Sequence, residues 1–430
     1  MFDDPEALSP QLNKVLSLSG SPLFGILNSL VEGRTSARTM NLRIVKATIS
    51  PPIYFRHNTP SKLNTVDSGS GVGFDRETAC WSAIGEAFER YCGSLYWEEQ
   101  LIKSSALALD EQALDMKPLI RIGRPEVCAF DPGSERMWMK GRYLHNALPT
   151  HIPAAMCVLG YKCHDTSEII AQNDSTGLAC GSSIEQAQLG ALCEVIERDV
   201  FASNWLLNRR APHIQFSAND LTYFSGPIRR LIRHEGLKLK LFHLSYVYGV
   251  HVVVSTVSGE KGFSVLGAAA SPSLIKAIEK ASTEGLHTWI AAETLINKPH
   301  LVDVSEIKSP SDHIRYYLDP ERFSQIDPLF NDQPSVAFAD LLGAQTIRLS
   351  SVDIAKLMRQ EGLTPAVIDL TTPDVAELGL HICRVVIPGV QPLVFGEHCM
   401  KAPDQRRLNY WRRKWSVSDT VLNIHPHPFP

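Results

Sequence analysis

Two segments of this 430-residue chain repeat one pattern of small and charged residues at a constant separation, 108 residues, the distance from Gly73 to Gly181. The paired positions are Gly73 and Gly181, Glu77 and Glu185, Ala79 and Ala187, Ala83 and Ala191, Glu86 and Glu194, Glu89 and Glu197, and Arg90 and Arg198. Small residues recur together with charged ones, so close packing recurs as well as charge. The chain therefore contains two copies of one structural unit.

Each copy is predicted to form a glycine-rich loop followed by a helix. Asp75 follows the loop 68–73, Ser183 follows the loop 177–181, and both stand where a helix N-cap is expected. The predicted helices span about residues 76–91 and 184–201. Glycine loops at helix starts are typical of anion-binding sites, because backbone N–H groups point outward there.

The remaining patterns indicate an α+β (mixed α/β) fold, in which the two repeated units pack on β-sheet and enclose a site between them. A helix is predicted after Ser271-Pro272, to about Ala292, and the polar segment 297–335 is predicted to be a surface excursion. Buried strands are predicted at 250–257, 263–266, 367–370 and 384–387.

No linker or low-complexity tract divides the chain. We expect a lead-in without a visible motif at residues 1–60 and one domain at 61–430. That domain includes a proline-rich tail, residues 423–430.

The composition of the chain argues against a nucleic-acid-binding protein, a disulfide framework, a zinc ribbon and a membrane protein. The formal net charge of −4 gives no global attraction for nucleic acid, and nine cysteines without a Cys-x-x-Cys pair argue against a disulfide framework and a zinc ribbon. No stretch approaches the roughly 18 apolar residues of a membrane span, and the first residues lack the basic start of a secretory signal. We therefore expect a cytoplasmic protein without a membrane partner.

The repeated helices carry the residues with the clearest chemistry. Glu86 and Glu89 lie on neighbouring turns of one helical face, and Glu194 and Glu197 repeat them. Four carboxylates brought close together raise one another's pKa values unless cations separate them, and Mg²⁺ prefers such oxygen ligands. For one copy alone, a solvated face with intrahelical ion pairs is the better explanation, but a solvated face does not explain the shared spacing.

Residues Ser82 to Arg90, Ser-Ala-Ile-Gly-Glu-Ala-Phe-Glu-Arg, resemble the first signature of the YcaO family, and 175–181 with 194–199 resemble the second. The resemblance runs from about residue 20 to the end of the sequence. It implies an ATP site with Mg²⁺ held by the four glutamates. The nucleotide contacts that it implies are Ser70, Gly71, Ser82, Arg90, Asn173, Ser175, Arg198 and His287.

The sequence departs from the family pattern at several positions. Val72, Thr176 and Ala191 stand where Lys, Asn and Ser are frequent. The third signature resembles Glu284 to His287, with His287 at the expected glutamine and no clear arginine. A structural helix histidine is the alternative interpretation.

The tail residues favour one of the activities that the resemblance implies, azoline formation. Pro426, Pro428 and Pro430 alternate at its end, as in azoline-forming members of the family, and the Pro430 carboxylate is predicted to be catalytic, as a base or a positioner of the substrate. An inert, frayed end is the alternative. A basic cluster with tryptophans, residues 406–415, is predicted to be either solvated helix surface or a contact for an acidic peptide or nucleic acid.

The resemblance implies an ATP-dependent cyclodehydratase that converts Cys, Ser or Thr of a ribosomally made precursor peptide to thiazoline or oxazoline. The alternatives are another amide-activating reaction, thioamide or amidine formation, and a non-catalytic nucleotide- or peptide-binding subunit of a larger synthetase. The implied partners are the precursor peptide and a leader-binding protein, of the ubiquitin-activating-enzyme type or a leader-recognition subunit. An FMN-dependent azoline dehydrogenase and a homodimer remain open.

Overall fold

A computed structural model describes residues 8–21, 25–33, 40–50, 68–121, 127–260, 262–296, 303–326, 329–330, 334–343, 349–395, 405–418, 421–423 and 425–429. The helices are α1 Pro10–Ser19, α2 Arg76–Gly93, α3 Ala106–Leu109, α4 Ala154–Cys157, α5 Ile184–Leu206, α6 Gly226–Ile232, α7 Leu274–Leu295, α8 Pro310–Tyr317, α9 Pro320–Ile326, α10 Phe338–Gly343, α11 Ser351–Gln360, α12 Pro373–Ala376 and α13 Gln405–Trp415. The strands are β1 Leu27–Glu32, β2 Arg43–Ile49, β3 Ser68–Gly73, β4 Leu101–Ser104, β5 Arg136–Tyr143, β6 Pro149–Pro153, β7 Leu178–Gly181, β8 His213–Gln215, β9 Leu237–Val247, β10 Val250–Gly259, β11 Ser264–Ser271, β12 Ser335–Ala337, β13 Ala366–Asp369 and β14 His381–Val386.

The strands form three sheets. Their orders are β1-β2-β3, β4-β5-β13-β14-β7 with β6 beside β5, and β11-β10-β9-β8-β12. Neighbouring strands are antiparallel except β8 and β12, which are parallel. Each sheet therefore has one edge strand, β3, β7 or β11, that leads directly into a long helix. The predicted α+β class is confirmed.

The described part of the chain contains three strand-helix units, whereas the sequence repeat predicts two. Helix α2 follows β3 with Asp75 as N-cap, α5 follows β7 with Ser183, and α7 follows β11 with Ser273. Each N-cap side chain accepts a hydrogen bond from the backbone N–H three residues later, which satisfies one of the unpaired groups of a helix start. The glycine-rich segments predicted as loops are edge strands.

The three units pack in a ring. Helix α2 contacts its own strand β3 and also β7, α5 contacts β7 and also β11, and α7 contacts β11 and also β3. Strands β7 and β14 lie between α2 and α5, because their residues divide between the hydrophobic cluster around α2 and the one around α5. The helices thus converge with their charged faces toward one another.

Close approach of backbones makes this ring compact. A Cβ atom on Gly71 would lie 2.1 Å from the backbone N of Ala83 in α2, and one on Gly267 would lie 2.1 Å from the backbone N of Gly285 in α7. Real Cβ atoms do not approach so closely, so only glycine fits at these two strand positions. The small residues of the repeat therefore serve the packing of helix on strand.

The structure tests the other predicted elements. The strands predicted at 250–257, 263–266, 367–370 and 384–387 and the helix after Ser271 are confirmed as β10, β11, β13, β14 and α7. The surface excursion predicted at 297–335 is wrong where the structure describes it, because α8 and α9 lie there with buried residues such as His313 and Tyr317. The division at residue 60 stays a prediction. No helix in the described ranges is long and apolar enough to cross a membrane.

Helix α13 docks on α5 through a buried ion pair. Arg407 Nε donates to Oδ1 of Asp199 at 3.0 Å, and the exposed fractions of the two side chains are 5% and 1%. The backbone N–H of Gln391 donates to the same Oδ1 at 2.8 Å. Trp411 is fully buried beside the pair. The inner side of the basic cluster at 406–415 therefore belongs to the core.

We expect the Arg407→Met variant to lose about 3–5 kcal/mol of unfolding free energy, because it leaves the Asp199 carboxylate buried without its countercharge. Urea unfolding at neutral pH measures this loss. The matched control is Arg413→Met on the exposed side of the same helix, for which a change within about 0.5 kcal/mol is expected. Equal effects of the two substitutions would show that the buried pair does not hold α13 in place.

Candidate active site

The three helices present acidic or hydrogen-bonding side chains at equivalent positions. Counted from the N-caps at 75, 183 and 273, position 11 is glutamate in every unit. Position 14 is glutamate in two units and histidine in the third. These residues are Glu86, Glu194 and Glu284, and Glu89, Glu197 and His287. Because the units form a ring, the equivalent positions face one common centre.

In the first unit, carboxylates of α2 accept hydrogen bonds from the backbones of two strands. Glu86 Oε2 accepts a hydrogen bond from the backbone N–H of Ser70 in β3 at 2.7 Å, and its Oε1 pairs with Arg90 at 2.6 Å. Glu89 Oε1 accepts from the backbone N–H of Cys180 in β7 at 2.8 Å. Glu89 therefore bridges the first unit to the second.

The second unit repeats this arrangement. Glu194 accepts a hydrogen bond from the backbone N–H of Gly177 at 3.0 Å and pairs with Arg198 at 2.8 Å. Arg198 also donates to the Thr176 hydroxyl at 2.5 Å, so the threonine that replaces the family's asparagine contacts this arginine. Glu197 has no hydrogen-bond partner among the described residues.

The carboxylates raise one another's pKa values. Burial raises the pKa of Glu89 to about 8, and the charges of Glu194 and Glu86 add to that rise. Burial also raises the pKa of Glu197 to about 7, with a further contribution from Glu194. The pKa of Glu194 is raised by burial as well, although the charge of Arg198 opposes the rise. Burial therefore disfavours the ionised form of these carboxylates, and a cation bound beside them would favour it.

The third unit adds charged residues that the sequence interpretation missed. The charge of Lys280 lowers the pKa of Glu197 and that of Glu284 raises it, which places both α7 side chains near the cluster. His287 Nδ1 lies 3.7 Å from Glu284 Oε2. A sequence signal existed: three residues of the 108-residue repeat recur again at a separation of 90 residues, the difference between N-caps 183 and 273. The pairs are Ala187 and Ala277, Ala191 and Ala281, and Glu194 and Glu284.

The other predicted contacts lie on or just before the strand-helix units. Ser82 is exposed on α2, at the position that Lys280 occupies on α7, and Ser175 is half-buried beside Thr176. Asn173 uses its amide for the backbone: it donates to the carbonyls of Ala155 and Val158 at 2.9 and 2.7 Å. These nucleotide contacts stay predictions. Pro430, predicted to be catalytic, lies outside the described residues.

The residues present fit an anionic nucleotide with a divalent cation. The Nε atoms of Arg90 and Arg198 are buried and have no hydrogen-bond partner in the described part of the chain, so each has an N–H to offer to a phosphate oxygen. The glutamates offer the hard oxygen ligands that Mg²⁺ prefers. No three ligand side chains within the described ranges form a ready-made metal cage. Mg²⁺ does not require one, since it keeps several waters and binds through a few carboxylates and substrate phosphates.

Comparison with known families decides the identity of this fold. The family described as YcaO cyclodehydratase, ATP- and Mg²⁺-binding, matches residues 70–391, which is three quarters of the chain. This chain belongs to the YcaO family. The matched range contains the three strand-helix units except the first residues of β3, together with all the glutamates described above. ATP and Mg²⁺ are the cofactors of YcaO proteins, and their prediction from the sequence is confirmed.

Solved structures share the YcaO fold. A heterocyclase solved in complex with substrate and cofactor is 22% identical, with a TM-score of 0.75, over 98% of this chain. This chain spans only 57% of the length of that heterocyclase chain. YcaO from Methanopyrus kandleri, bound with AMPPCP and Mg²⁺, is 19% identical with a TM-score of 0.63 over 91% of this chain and 93% of that one. The E. coli microcin synthetase McbBCD complex is 15% identical with a TM-score of 0.58 over 85% and 88%.

We expect the Glu89→Gln variant of the ligand-free protein to be more stable than the wild type by at least about 1 kcal/mol near pH 9, with the difference shrinking toward pH 5. The folded state holds the Glu89 proton more tightly than the unfolded chain does. Folding therefore takes up a proton, and the wild type loses stability as the pH rises from about 4.5, the ordinary value, through about 8.

Chemical unfolding of both proteins across this pH range measures the difference. Glu98→Gln, at an exposed position outside the cluster, is the matched control. A Glu89→Gln effect that is the same at both ends of the range would contradict the raised pKa of Glu89.

Proposed function

We propose that this chain is an ATP-dependent cyclodehydratase that converts Cys, Ser or Thr of a ribosomally made precursor peptide to thiazoline or oxazoline. The proposal rests on the site where the three strand-helix units meet. This site combines carboxylates with raised pKa values and two arginines whose Nε atoms have no hydrogen-bond partner among the described residues. Such a site suits the γ-phosphoryl group of a nucleotide better than a neutral ligand.

The proposed reaction uses ATP to remove an amide oxygen. The substrate's thiol or hydroxyl adds to the carbonyl carbon of the preceding amide and loses its proton. The resulting oxyanion attacks the γ-phosphorus of ATP and ADP leaves. The amide nitrogen then loses its proton as the C–O bond breaks, so that a C=N bond closes the ring and phosphate departs. The peptide loses the atoms of one water, and all of the oxidation states stay the same.

The residues divide this work between binding and charge stabilisation. We assign Glu86, Glu89, Glu194 and Glu197 as carboxylates that hold Mg²⁺, and Glu284 as a further one. When bound, Mg²⁺ neutralises charge that develops on the phosphoryl oxygens. Arg90 and Arg198 lie on the same helices, with Nε–H groups available to the phosphates. Lys280 supplies a cation on the third helix, where sequence comparison with the family finds no clear arginine.

The nucleophile in this scheme belongs to the substrate, so the chain needs no activated serine or cysteine. Burial raises the pKa of Cys92 to about 11 and that of Cys383 to about 12, which makes these thiols near the site poor nucleophiles. We assign Ser70, Gly71, Ser82, Ser175 and His287 as nucleotide contacts. An Asn173 contact would require its amide to exchange a backbone hydrogen bond for the nucleotide.

The partners are part of the proposal. The E. coli relative was solved as the McbBCD complex, also with pro-MccB17 bound, and the heterocyclase relative is a longer chain than this one. We propose that a separate leader-binding protein presents the precursor peptide to this chain. An azoline dehydrogenase using FMN then has a substrate to oxidise, and a homodimer is compatible with the proposal.

The decisive experiment incubates the purified protein with ATP, Mg²⁺, the leader-binding protein and the precursor peptide encoded nearby. We expect peptide mass to fall by one water for each ring, with one phosphate released per ring. Glu86→Gln and Glu284→Gln should each lower the rate at least about a hundredfold, since both remove charge from the phosphoryl site. Mass spectrometry and phosphate release measure the two products.

Glu98→Gln, on the protein surface, is the control and should cyclise the peptide at the wild-type rate. Replacement of the amide oxygen by sulfur or by the nitrogen of an amine, without an azoline ring, would instead identify a thioamide- or amidine-forming enzyme. ATP binding without any change in peptide mass, with every partner present, would leave only a non-catalytic binding subunit.

A further inference from the structure

The centre of segment 425–429 is buried although two of the five residues are prolines, which have no backbone N–H to donate. Pro426, His427 and Pro428 are all buried. Proline lacks a backbone N–H, and a proline-rich strand has no internal hydrogen bonds. A segment of this composition stays in place only if other parts of the chain bond its carbonyl groups.

Three successive carbonyls of this segment each accept a hydrogen bond from a different side chain. Trp205 Nε1 of α5 donates to the carbonyl of His425 at 3.0 Å. The Tyr317 hydroxyl of α8 donates to the carbonyl of Pro426 at 2.5 Å. His313 Nδ1 of α8 donates to the carbonyl of His427 at 2.6 Å. Two of the three bonds come from α8.

Ring stacking adds to these bonds. The imidazoles of His313 and His427 lie 4.2 Å apart, centre to centre, and are 9° from parallel. Phe395 meets both rings edge to face. On the other side, Phe201 of α5 contacts His427 and Phe429, with ring centres 6.2 and 4.9 Å away. Phe201 lies one helical turn beyond Glu197, so the segment reaches the same helix as the candidate active site.

We propose that His313 and Tyr317 are positioning residues that clamp segment 425–429 against α5, one turn from the carboxylate cluster. The clamp itself is independent of the reaction. Its effect on turnover rests on the proposed function. The two residues lie four positions apart on α8, and both bond carbonyls of the segment.

Burial and the close stacking of the two imidazoles favour their neutral forms. His313 uses Nδ1–H as a donor, His427 uses Nε2–H to donate to the carbonyl of Val394 at 3.1 Å, and His427 Nδ1 is buried without a partner. Burial lowers the pKa of His313 to about 4 and holds that of His427 well below its ordinary value. The charged groups that act on the pair are Asp312 of α8 and Arg198 of α5.

Docking of the segment therefore depends on pH. The docked histidines bind protons less tightly than undocked ones, whose ordinary pKa is about 6.5. Docking is complete above that value and weakens as the pH falls from about 6.5 through about 4. Hydrogen exchange of the peptide that contains residues 425–429 reports this change directly, after correction for the intrinsic effect of pH on exchange.

The test compares Tyr317→Phe with Tyr316→Phe. Tyr317→Phe removes one oxygen and with it the bond to the Pro426 carbonyl, whereas the neighbouring Tyr316 hydroxyl has no hydrogen-bond partner in the described structure. We expect exchange of the 425–429 peptide to rise about three- to tenfold in Tyr317→Phe at neutral pH and to stay at the wild-type rate in Tyr316→Phe. Exchange in α2 and α5 should be unchanged in both variants and shows that each is folded.

A second variant, His313→Phe, keeps an aromatic ring at the stack but loses the donor. It should raise exchange at neutral pH and respond less than the wild type to acidification to about pH 5.5. Wild-type exchange rates in both Tyr317→Phe and His313→Phe would overturn the clamp. If His313→Phe fails to fold, Tyr317→Phe alone decides.

Turnover provides a separate measurement. With peptide and partner present, Tyr317→Phe should lower kcat while the KM for ATP stays at its wild-type value, because the substitution leaves the nucleotide site intact. A Tyr317→Phe enzyme with wild-type kcat and faster exchange would show that the clamp exists but does not serve catalysis. Absence of cyclisation in the wild type would reject the proposed function and leave the exchange result standing.

Discussion

The close approach of helix and strand backbones is the constraint on which the rest of this structure depends. At Gly71 and Gly267 even a single methyl group would collide with the backbone of the following helix. This distance lets the backbone N–H groups of β3 and β7 reach carboxylates on α2, at Ser70 and Cys180. Three copies of one strand-helix unit can then close a ring in which each helix also contacts the next unit's strand.

Closing that ring costs stability, because it gathers like charges in a half-buried space. Burial raises the pKa values of Glu89 and Glu197 to about 8 and 7, and the charges of neighbouring glutamates add to the rise. Contacts elsewhere offset the cost: Asp199 of α5, the residue after Arg198, is paired with Arg407 in the core. A site held under electrostatic strain and relieved by a bound cation is a common feature of enzymes that bind nucleotides with Mg²⁺.

Much of this arrangement follows from the sequence and some of it does not. The repeat at 108 residues predicted α2 and α5 with their N-caps, because charge and small residues recur together. It does not include α7, which is predicted as a helix but not as a third copy of the unit, because that unit has a serine where the others have Gly73 and Gly181 and a histidine at the second acidic position. The glycine segments were predicted as loops because glycine is rare in strands, whereas here it is required by the close approach of a helix.

The burial of α8 and of segment 425–429 cannot be predicted from the local sequence. His313 and Tyr317 lie in a polar, proline-containing stretch, and tertiary contacts, among them those with segment 425–429, explain their burial. The basic cluster on α13 was undecided for the same reason, since whether Arg407 faces solvent or Asp199 depends on how α13 docks.

The most direct test of the central claim is a crystal structure with a non-hydrolysable ATP analogue and Mn²⁺ in place of Mg²⁺, with anomalous scattering used to locate the metal. We expect anomalous peaks between the γ-phosphate and carboxylates of α2, α5 and α7, with Arg90 and Arg198 donating hydrogen bonds to phosphate oxygens. Nucleotide bound away from the three helices, or metal peaks without a glutamate from these positions, would contradict it.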